Sequence, residues 1–210
     1  MPEQADSMIF KVGQHDVPAD WPVKGEASKT FRDRLESGFF SRFMSGDVIL
    51  DIGYKGYQDN SPIFPHAIGV DMDYPGYDGI TLPFDEETVD AVYTSHTLEH
   101  IDEYQDAIRE WFRVLKIGGF IVCAVPHMCL YEKKLYPPSR WNSDHKRFYT
   151  PGRLMREFEE SLELNTYRLR LLSDNDQGHD YTQGPESHGS WGYEIHLVIE
   201  KILRPPWALT

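Results

Sequence analysis

Residues 48–53 read VILDIG, a short apolar run that carries one acidic residue and ends at a glycine. Such a run between turn signals is typical of a strand buried on both faces of a sheet. Gly53 lacks a Cβ atom, so the backbone after the strand can approach a ligand closely. The stretch therefore predicts the first strand of an α/β sheet, with Asp51 and Gly53 at its ligand-binding edge.

Strands and helices alternate on either side of this stretch. Helical periodicity falls at 29–44, 102–116 and 153–160, and further apolar runs predict strands at 66–71, 89–94, 120–125, 169–172 and 193–202. This order predicts a mainly parallel sheet with helices on both faces and an antiparallel C-terminal hairpin. Residues 1–27, which lack periodicity, predict an irregular N-terminal leader before a single domain over 28–210.

The overall composition narrows the class of protein. A formal net charge of −13 over 210 residues repels phosphate backbones, so we expect no nucleic-acid partner. A basic patch within 133–147 would suit one phosphate of a small ligand. We expect no membrane span, because the apolar runs are too short, and residues 1–20 lack a signal-peptide pattern. The two cysteines, Cys123 and Cys129, do not suggest a secreted disulfide framework, so we expect a cytoplasmic location.

Polar residues follow the predicted strands at the points where each one ends. Asp71 follows the second strand, Ser95 and His96 the third, and His127 the fourth. Because the carboxyl ends of parallel strands meet at one edge of a sheet, these side chains should lie close together. An acidic residue after the second strand is well placed to accept hydrogen bonds from a ribose diol.

Taken in order, these segments resemble class I S-adenosylmethionine-dependent methyltransferases of the small-molecule, type 11-like group. The resemblance covers about 47–126 and is carried by VILDIG, IGVD, LPF, VDAVYTSHTLEHI and RVLKIGGFIVCAVP. It implies a three-layer Rossmann-like sandwich with a seven-stranded, mainly parallel sheet. It also implies S-adenosyl-L-methionine as the cofactor.

The resemblance further implies which residues would bind that cofactor. Asp51 and Gly53, with the adjoining Tyr54, would frame the loop under the methionine moiety. The remaining residues would contact the adenosine or line the wall beside the reactive methyl: Asp71 and Met72 at the ribose, Asp78 at the adenine amine, and Ser95 and His96 on the wall. The family pattern D-x-G-x-G-x-G is altered here to DIGYKGY. The connection from Gly53 to the next predicted strand at His66 is short, so it has room for only a short helix or none.

Histidines supply the candidates for a general base, which a hydroxyl acceptor would need. His96, His100, His127 and His145 all fall in segments predicted to surround the mouth of the site. His127 directly follows the fourth strand and is the first choice, followed by His145 and His96. Residues 96–100 also match H-x-x-E-H, a pattern of zinc peptidases. That chemistry requires a regular helix, whereas the preceding residues predict a strand, so we expect no metal ligands.

Two segments, 130–149 and 174–192, are predicted to form loops on the acceptor side. The first mixes aromatic rings with polar groups, as recognition of a sugar requires. We therefore expect O-methylation of a sugar, nucleotide sugar or glycan precursor in saccharide biosynthesis. The sequence leaves open a homodimer, an N-methyltransferase of a small amine, and a protein that binds S-adenosylmethionine or S-adenosylhomocysteine without catalysis. A dehydrogenase is disfavoured because G-x-G-x-x-G is missing.

Overall fold

The computed structural model describes residues 8–189 and 191–207. In this part of the chain eight strands and four α-helices follow one another in the order β1 (Ile9–Val12), β2 (His15–Pro18), α1 (Ala27–Glu36), α2 (Phe39–Phe43), β3 (Ile49–Ile52), β4 (Ile68–Val70), β5 (Val89–Ser95), α3 (Tyr104–Val114), β6 (Leu115–Pro126), α4 (Pro151–Ser161), β7 (Tyr167–Asn175) and β8 (Glu194–Lys201).

Strands β3 to β8 form one sheet with the strand order β4-β3-β5-β6-β8-β7. The first four are parallel, and β8 runs antiparallel to both of its neighbours, β6 and β7. The predicted α/β sheet with an antiparallel C-terminal hairpin is therefore confirmed. The sheet has six strands rather than seven among the described residues. The connection from β4 to β5 consists of turns, and its residues Pro75, Gly76, Gly79 and Pro83 disfavour another strand.

Helices cover both faces of the sheet, which completes the predicted three layers. Side chains alternate along β3, so Leu50 and Ile52 pack on the face that α3 and α4 cover. Ile49 packs on the opposite face, against α1 and α2. Trp111 of α3 is fully buried at the first of these interfaces. Because both faces of β3 are covered, its sequence is a nearly continuous apolar run rather than an alternating one.

The N-terminal segment corrects the prediction of an irregular leader. Residues 9–18 form a two-stranded antiparallel hairpin that turns at Gly13, whose φ is +60°. Val12 and Val17 are fully buried and join the same core as α1 and α2. The hairpin is stable because its two valines are covered by the domain, which is long-range packing that local periodicity does not reveal. Residues 1–7 lie outside the described residues.

The single helix predicted over 29–44 is divided in two. Gly38 adopts a left-handed φ of +73° between α1 and α2. Glycine takes this conformation without a steric penalty and commonly ends helices. The apolar repeat continues across the break, which explains why periodicity alone suggested one helix. No helix in the described ranges is both long and apolar enough to cross a bilayer.

Candidate functional site

The carboxyl ends of β3, β4 and β5 meet at one edge of the sheet, as predicted. Because β3 pairs in parallel with both neighbours, the chain brings Gly53, Asp71 and His96 together. These residues line an open cavity of about 340 Å³, a size within the range of small-molecule sites. The other lining residues are mostly polar: Lys55, Tyr57, Gln58, Thr97, His100, Asn142 and Asp144.

Gly53 is required by the close approach of two backbone segments. Its φ is +78°, and a Cβ atom placed on it would lie 2.2 Å from Thr97 Oγ1. Thr97 is itself held there, since its hydroxyl donates to the carbonyl of Ile52 over 3.2 Å. A side chain at position 53 would therefore push apart the two loops that form the cavity floor.

Asp71 is buried at the end of β4 and organises the loop that follows β3. Its Oδ2 accepts a hydrogen bond from the Lys55 amide over 2.8 Å, and its Oδ1 accepts one from the Met72 amide over 2.8 Å. Each carboxylate oxygen can accept a further hydrogen bond. The carboxylate that is predicted to bind a ribose thus faces the cavity with acceptor capacity left. Met72 is largely exposed beside it.

The loop after β3 contains only one turn of 3-10 helix, Gly56–Gln58, as its short length predicted. Lys55, which stands where the family pattern has a glycine, adopts a left-handed φ of +61°. The Tyr54 ring packs so closely on Gly56 and Gly69 that a Cβ atom on either glycine would lie within 2.6 Å of it. Lys55 therefore keeps the left-handed conformation that suits a glycine, and the neighbouring Tyr54 ring closes one side of the loop.

Asp51 lies beneath this loop beside a smaller cavity of about 50 Å³. Tyr54, Ser95 and His96 line the same cavity. Burial raises the pKa of Asp51 to about 7, a hydrogen bond from the Ile63 amide opposes that shift, and the nearby Asp71 carboxylate adds to it. The carboxyl is therefore poised between its neutral and charged forms at neutral pH.

Asp78, predicted to bind the adenine amine, is exposed in a turn. Its Oδ1 accepts hydrogen bonds from the Ile80 amide over 2.9 Å and the Thr81 amide over 2.6 Å. These bonds hold its pKa below the ordinary value. Asp78 is not among the residues that line the two cavities. Its contact with an adenine ring stays a prediction.

A buried carboxylate, Glu99, lies among three histidines at the wall of the larger cavity. Its Oε1 is 3.7 Å from His96 Nδ1, 3.8 Å from His100 Nε2 and 3.9 Å from His145 Nε2. Leu98–His100 form a single 3-10 turn, and His96 has a φ of +53°. The H-x-x-E-H pattern is thus not on a regular helix, in agreement with the prediction from sequence.

Two further carboxylates orient the outer histidines of this cluster. Glu132 Oε1 lies 2.5 Å from His145 Nδ1, and Glu194 Oε1 lies 3.1 Å from His96 Nε2. Burial opposes charge on His96, but the bond to Glu194 and the charge of Glu99 outweigh it and raise its pKa. His96 therefore favours its protonated form, which is poorly suited to accept a proton.

His127 lies outside this cluster. Its Nδ1 accepts a hydrogen bond from the Cys129 amide over 2.9 Å, and its Nε2 lies 3.3 Å from Asp174 Oδ1. Burial lowers its pKa, and the charged groups that act on it are Asp174, Asp176 and His179. Both ring nitrogens are thus engaged away from the two cavities. The predicted role of His127 as general base stays untested.

His100 lies in a segment that was predicted to surround the site, although it was not among the three preferred candidates for the base. It lines the larger cavity, and its side chain is 28% exposed. Burial, with smaller contributions from the neighbouring His145 and Lys55, lowers its pKa to about 4. Its place in the HTLEH run was the signal available in the sequence, whereas the lining that it shares with Asn142 and Asp144 depends on the tertiary fold.

The segment 130–149 contributes the opposite wall of the same cavity. A turn of π-helix, Met128–Glu132, leads into it. The segment then folds back so that Asn142 and Asp144 line the cavity. The indole N–H of Trp141 donates to the Tyr131 carbonyl over 2.9 Å and fixes this path. The segment 174–192 lies beside a different cavity, which Lys29, Gln177 and Trp191 help to line.

Comparison with known proteins supports the same family. The family model for a methyltransferase domain matches residues 65–123. A demethylmenaquinone methyltransferase of Roseiflexus castenholzii is 41% identical over 46 residues, 22% of this chain and 19% of that protein. Its namesake from Streptomyces griseus is 36% identical over 69 residues, 33% of this chain and 28% of that protein. The chain thus spans under a third of these curated relatives.

Solved structures agree at the level of the fold. A methyltransferase structure from Bacillus halodurans aligns with a TM-score of 0.53 at 14% identity, over 81% of this chain and 99% of that one. An S-adenosylmethionine-dependent methyltransferase from Archaeoglobus fulgidus gives a TM-score of 0.52 at 16% identity, over 80% and 92%. The matched segment and the fold together confirm the resemblance to class I S-adenosylmethionine-dependent methyltransferases, with S-adenosylmethionine as the expected cofactor.

Proposed function

We propose that this chain transfers a methyl group from S-adenosylmethionine to a hydroxyl oxygen of a small hydrophilic acceptor. The observation that carries the proposal is the cavity of about 340 Å³, which sets Gly53 and Asp71 opposite a polar wall formed by His100, Asn142 and Asp144. Bound S-adenosylmethionine supplies a methyl group on a sulfonium that is already activated for displacement. The protein then has to align the acceptor and exclude water.

The residues at the strand ends suit that cofactor. The second acceptor positions of the Asp71 carboxylate are available to ribose hydroxyls. Gly53 lets the loop that carries Thr97 close against the backbone at the cavity, because a Cβ there would collide with Thr97. The carboxyl of Asp51 has the charge sign that a sulfonium or an ammonium group favours. These three features would hold the cofactor without the missing glycines of the family pattern.

The polar lining favours a sugar-like acceptor over an apolar one. Lys55, Gln58, Asn142 and Asp144 offer donors and acceptors, whereas sites for apolar ligands are lined mostly by hydrophobic side chains. The curated relatives are named for demethylmenaquinone. The family-model match ends at residue 123, before the segment 130–149 that supplies Asn142 and Asp144 to this lining. The acceptor of this chain can therefore differ from that of the curated relatives, while the part of the domain that binds the cofactor is shared.

Cofactor binding should depend on pH through Asp51. A carboxyl with a pKa of about 7 is roughly one-tenth ionised at pH 6 and nine-tenths ionised at pH 8. If the cationic cofactor requires the ionised form, its affinity should rise about tenfold over that range. Calorimetric titrations at both pH values would measure this rise. In Asp51→Asn the rise in affinity should shrink to the part that comes from titration of the amino group of the ligand itself.

Asp51 also makes the stability of the ligand-free protein depend on pH, in the opposite direction to the cofactor affinity. The pKa of Asp51 in the folded chain lies above its unfolded value, so the ligand-free protein should lose stability as pH rises from about 4 through about 7. Asp51→Asn should remove this loss in urea titrations. A wild-type affinity that stays flat from pH 6 to pH 8 would separate Asp51 from cofactor binding.

Titration calorimetry with S-adenosylmethionine and S-adenosylhomocysteine, together with a methyl-release assay on a panel of sugars and nucleotide sugars, tests the proposed function. Asp71→Ala should weaken S-adenosylhomocysteine binding roughly ten- to a hundredfold, the value of a hydrogen bond to a charged group. Asp73→Ala is the matched control, because this exposed carboxylate lies two residues away and outside the lining of the cavity.

The outcomes separate the candidate functions. Tight nucleotide binding without methyl release on any acceptor would favour a non-catalytic binding protein. Methyl release on amines but not on hydroxyl compounds would favour N-methyl transfer. Equal losses in Asp71→Ala and Asp73→Ala would show that the cofactor does not use the strand-end carboxylate, and the proposed site would then be wrong.

A further inference from the structure

We infer that Glu99, His100 and His145 form a binding site for one divalent transition-metal ion, with zinc as the best match. The donor atoms of these three residues all lie within 4.8 Å of one another. Two imidazole nitrogens and one carboxylate oxygen are a common ligand set of zinc sites that keep a position open. The inference concerns ion binding and stands independently of the proposed function.

The distances are close to those that an ion would impose. Two ligands at 2.0–2.1 Å from a tetrahedral zinc ion are roughly 3.4 Å apart. His100 Nε2 and His145 Nε2 lie 3.8 Å and 3.9 Å from Glu99 Oε1. These two distances exceed that separation by only about half an ångström, and all donor pairs of the set lie within 4.8 Å. Rotamer adjustments of that size do not disturb the backbone.

Glu99 supplies the second, independent observation. The residue is fully buried, and neither of its carboxylate oxygens accepts a hydrogen bond from another described residue. The protonated His96 at 3.7 Å balances part of the charge of Glu99 but donates no hydrogen bond to it, and a buried carboxylate that accepts no hydrogen bond is unfavourable. The surrounding imidazoles are too far away to donate hydrogen bonds to it. A cation between Glu99 and the two imidazoles would compensate this buried group.

The tautomer of His145 points to the same conclusion. Glu132 Oε1 lies 2.5 Å from His145 Nδ1, so the proton of a neutral ring belongs on that nitrogen. The lone pair of Nε2 then faces the Glu99 carboxylate, which is repulsive unless a cation lies between them. A carboxylate that orients a histidine through its distal nitrogen is the usual outer shell of a zinc ligand.

The position of the site gives the ion one open side. Glu99 and His145 are buried, whereas His100 borders the cavity of about 340 Å³. An ion held by these three residues would expose a coordination position to that cavity. An acceptor hydroxyl there would take that position and lose its proton more readily. This second step rests on the proposed function.

The expectation of no metal ligands was based on His96 and His100 alone. The structure replaces that pair with a different set, because His145 arrives from the segment 130–149. His96 is bonded to Glu194 through Nε2 and is not among the mutually close donor atoms of this set. The ligand set is therefore assembled from two distant parts of the chain rather than from one helix.

The test uses tag-free full-length protein, stripped with a chelator and titrated with ZnCl₂ by calorimetry. Elemental analysis of the untreated protein and the visible spectrum of a Co²⁺-loaded sample give independent readouts. We expect one ion per chain. Affinity should fall at least about a hundredfold in His100→Ala and in His145→Ala, and about 10- to 100-fold in Glu132→Gln. His15→Ala is the control, since its side chain is 29% exposed, much like that of His100.

The inference is overturned if folded wild-type protein binds Zn²⁺ no more tightly than His100→Ala, or if His15→Ala loses as much affinity as His100→Ala. Circular dichroism checks the folding of each variant. If His145→Ala does not fold, the partly exposed His100→Ala decides the question. S-adenosylhomocysteine affinity measured on the same samples reports on the proposed function separately, so failure of one leaves the other measurable.

Discussion

His100→Ala should transfer methyl groups at least about a hundredfold more slowly than the natural chain at saturating cofactor. His100 is the partly exposed imidazole of the polar wall, and it faces the cavity in which the acceptor would lie. Its loss removes a proton acceptor if the imidazole acts alone, and it removes a ligand if an ion is bound. Both routes impair loss of the acceptor proton, so the expected direction is the same.

Steady-state kinetics with the best acceptor from the screen would measure the effect as a change in kcat. S-adenosylhomocysteine affinity should change by less than about tenfold, because Gly53 and Asp71 are retained. His15→Ala is again the matched control, since it pairs with Asp47 away from the cavity. A large loss of turnover in His127→Ala alone, with His100→Ala unaffected, would return the role of general base to His127.

Gly53→Ala should destabilise the fold by about 3 kcal/mol and weaken cofactor binding at least about a hundredfold. A left-handed φ costs an L-residue roughly 1–2 kcal/mol, and overpacking typically adds about 1–3 kcal/mol. The added Cβ would lie 2.2 Å from Thr97 Oγ1 and 2.7 Å from Thr97 Cγ2. Relief of that collision requires the loops that carry Gly53 and Thr97 to separate, which would deform the cavity.

Gly38→Ala separates the cost of the left-handed φ from the cost of the collision with Thr97. Gly38 has a similar φ of +73°, but a Cβ atom there would meet nothing within 4 Å. This variant should lose only about 1–2 kcal/mol and should bind S-adenosylhomocysteine as the natural chain does. Urea unfolding gives the stability of both variants, and calorimetry gives their affinity. Equal losses of stability in the two variants would show that the Thr97 contact carries no cost.

Local patterns in the sequence were sufficient for most of the regular structure. The helix predicted over 153–160 is present as α4, and the Thr150 hydroxyl caps its first turn by accepting a hydrogen bond from the Arg153 amide over 3.3 Å. The strand that ends at Gly53 and the carboxylate after β4 also lie where they were expected. These features depend on residues that are close in sequence, so their propensities and spacing report them directly.

The N-terminal hairpin and the break at Gly38 were not predictable in the same way. Val12 and Val17 are stabilised by a core that the remainder of the domain supplies. Gly38 lies within an uninterrupted apolar repeat, and only packing of two short helices against the sheet decides that the chain turns there. In both places tertiary contacts outweigh the local signal.

The stretch 48–53 by itself determined strand β3, the burial of both its faces and the glycine turn that follows it. An apolar run and the backbone freedom of a glycine are local properties of the sequence. The tertiary structure alone decided which histidines share a site. His145 reaches Glu99 and His100 because the segment 130–149 folds back over the cavity, and Glu132 fixes its ring. Such contacts depend on the path of a long connection, which local propensity does not encode.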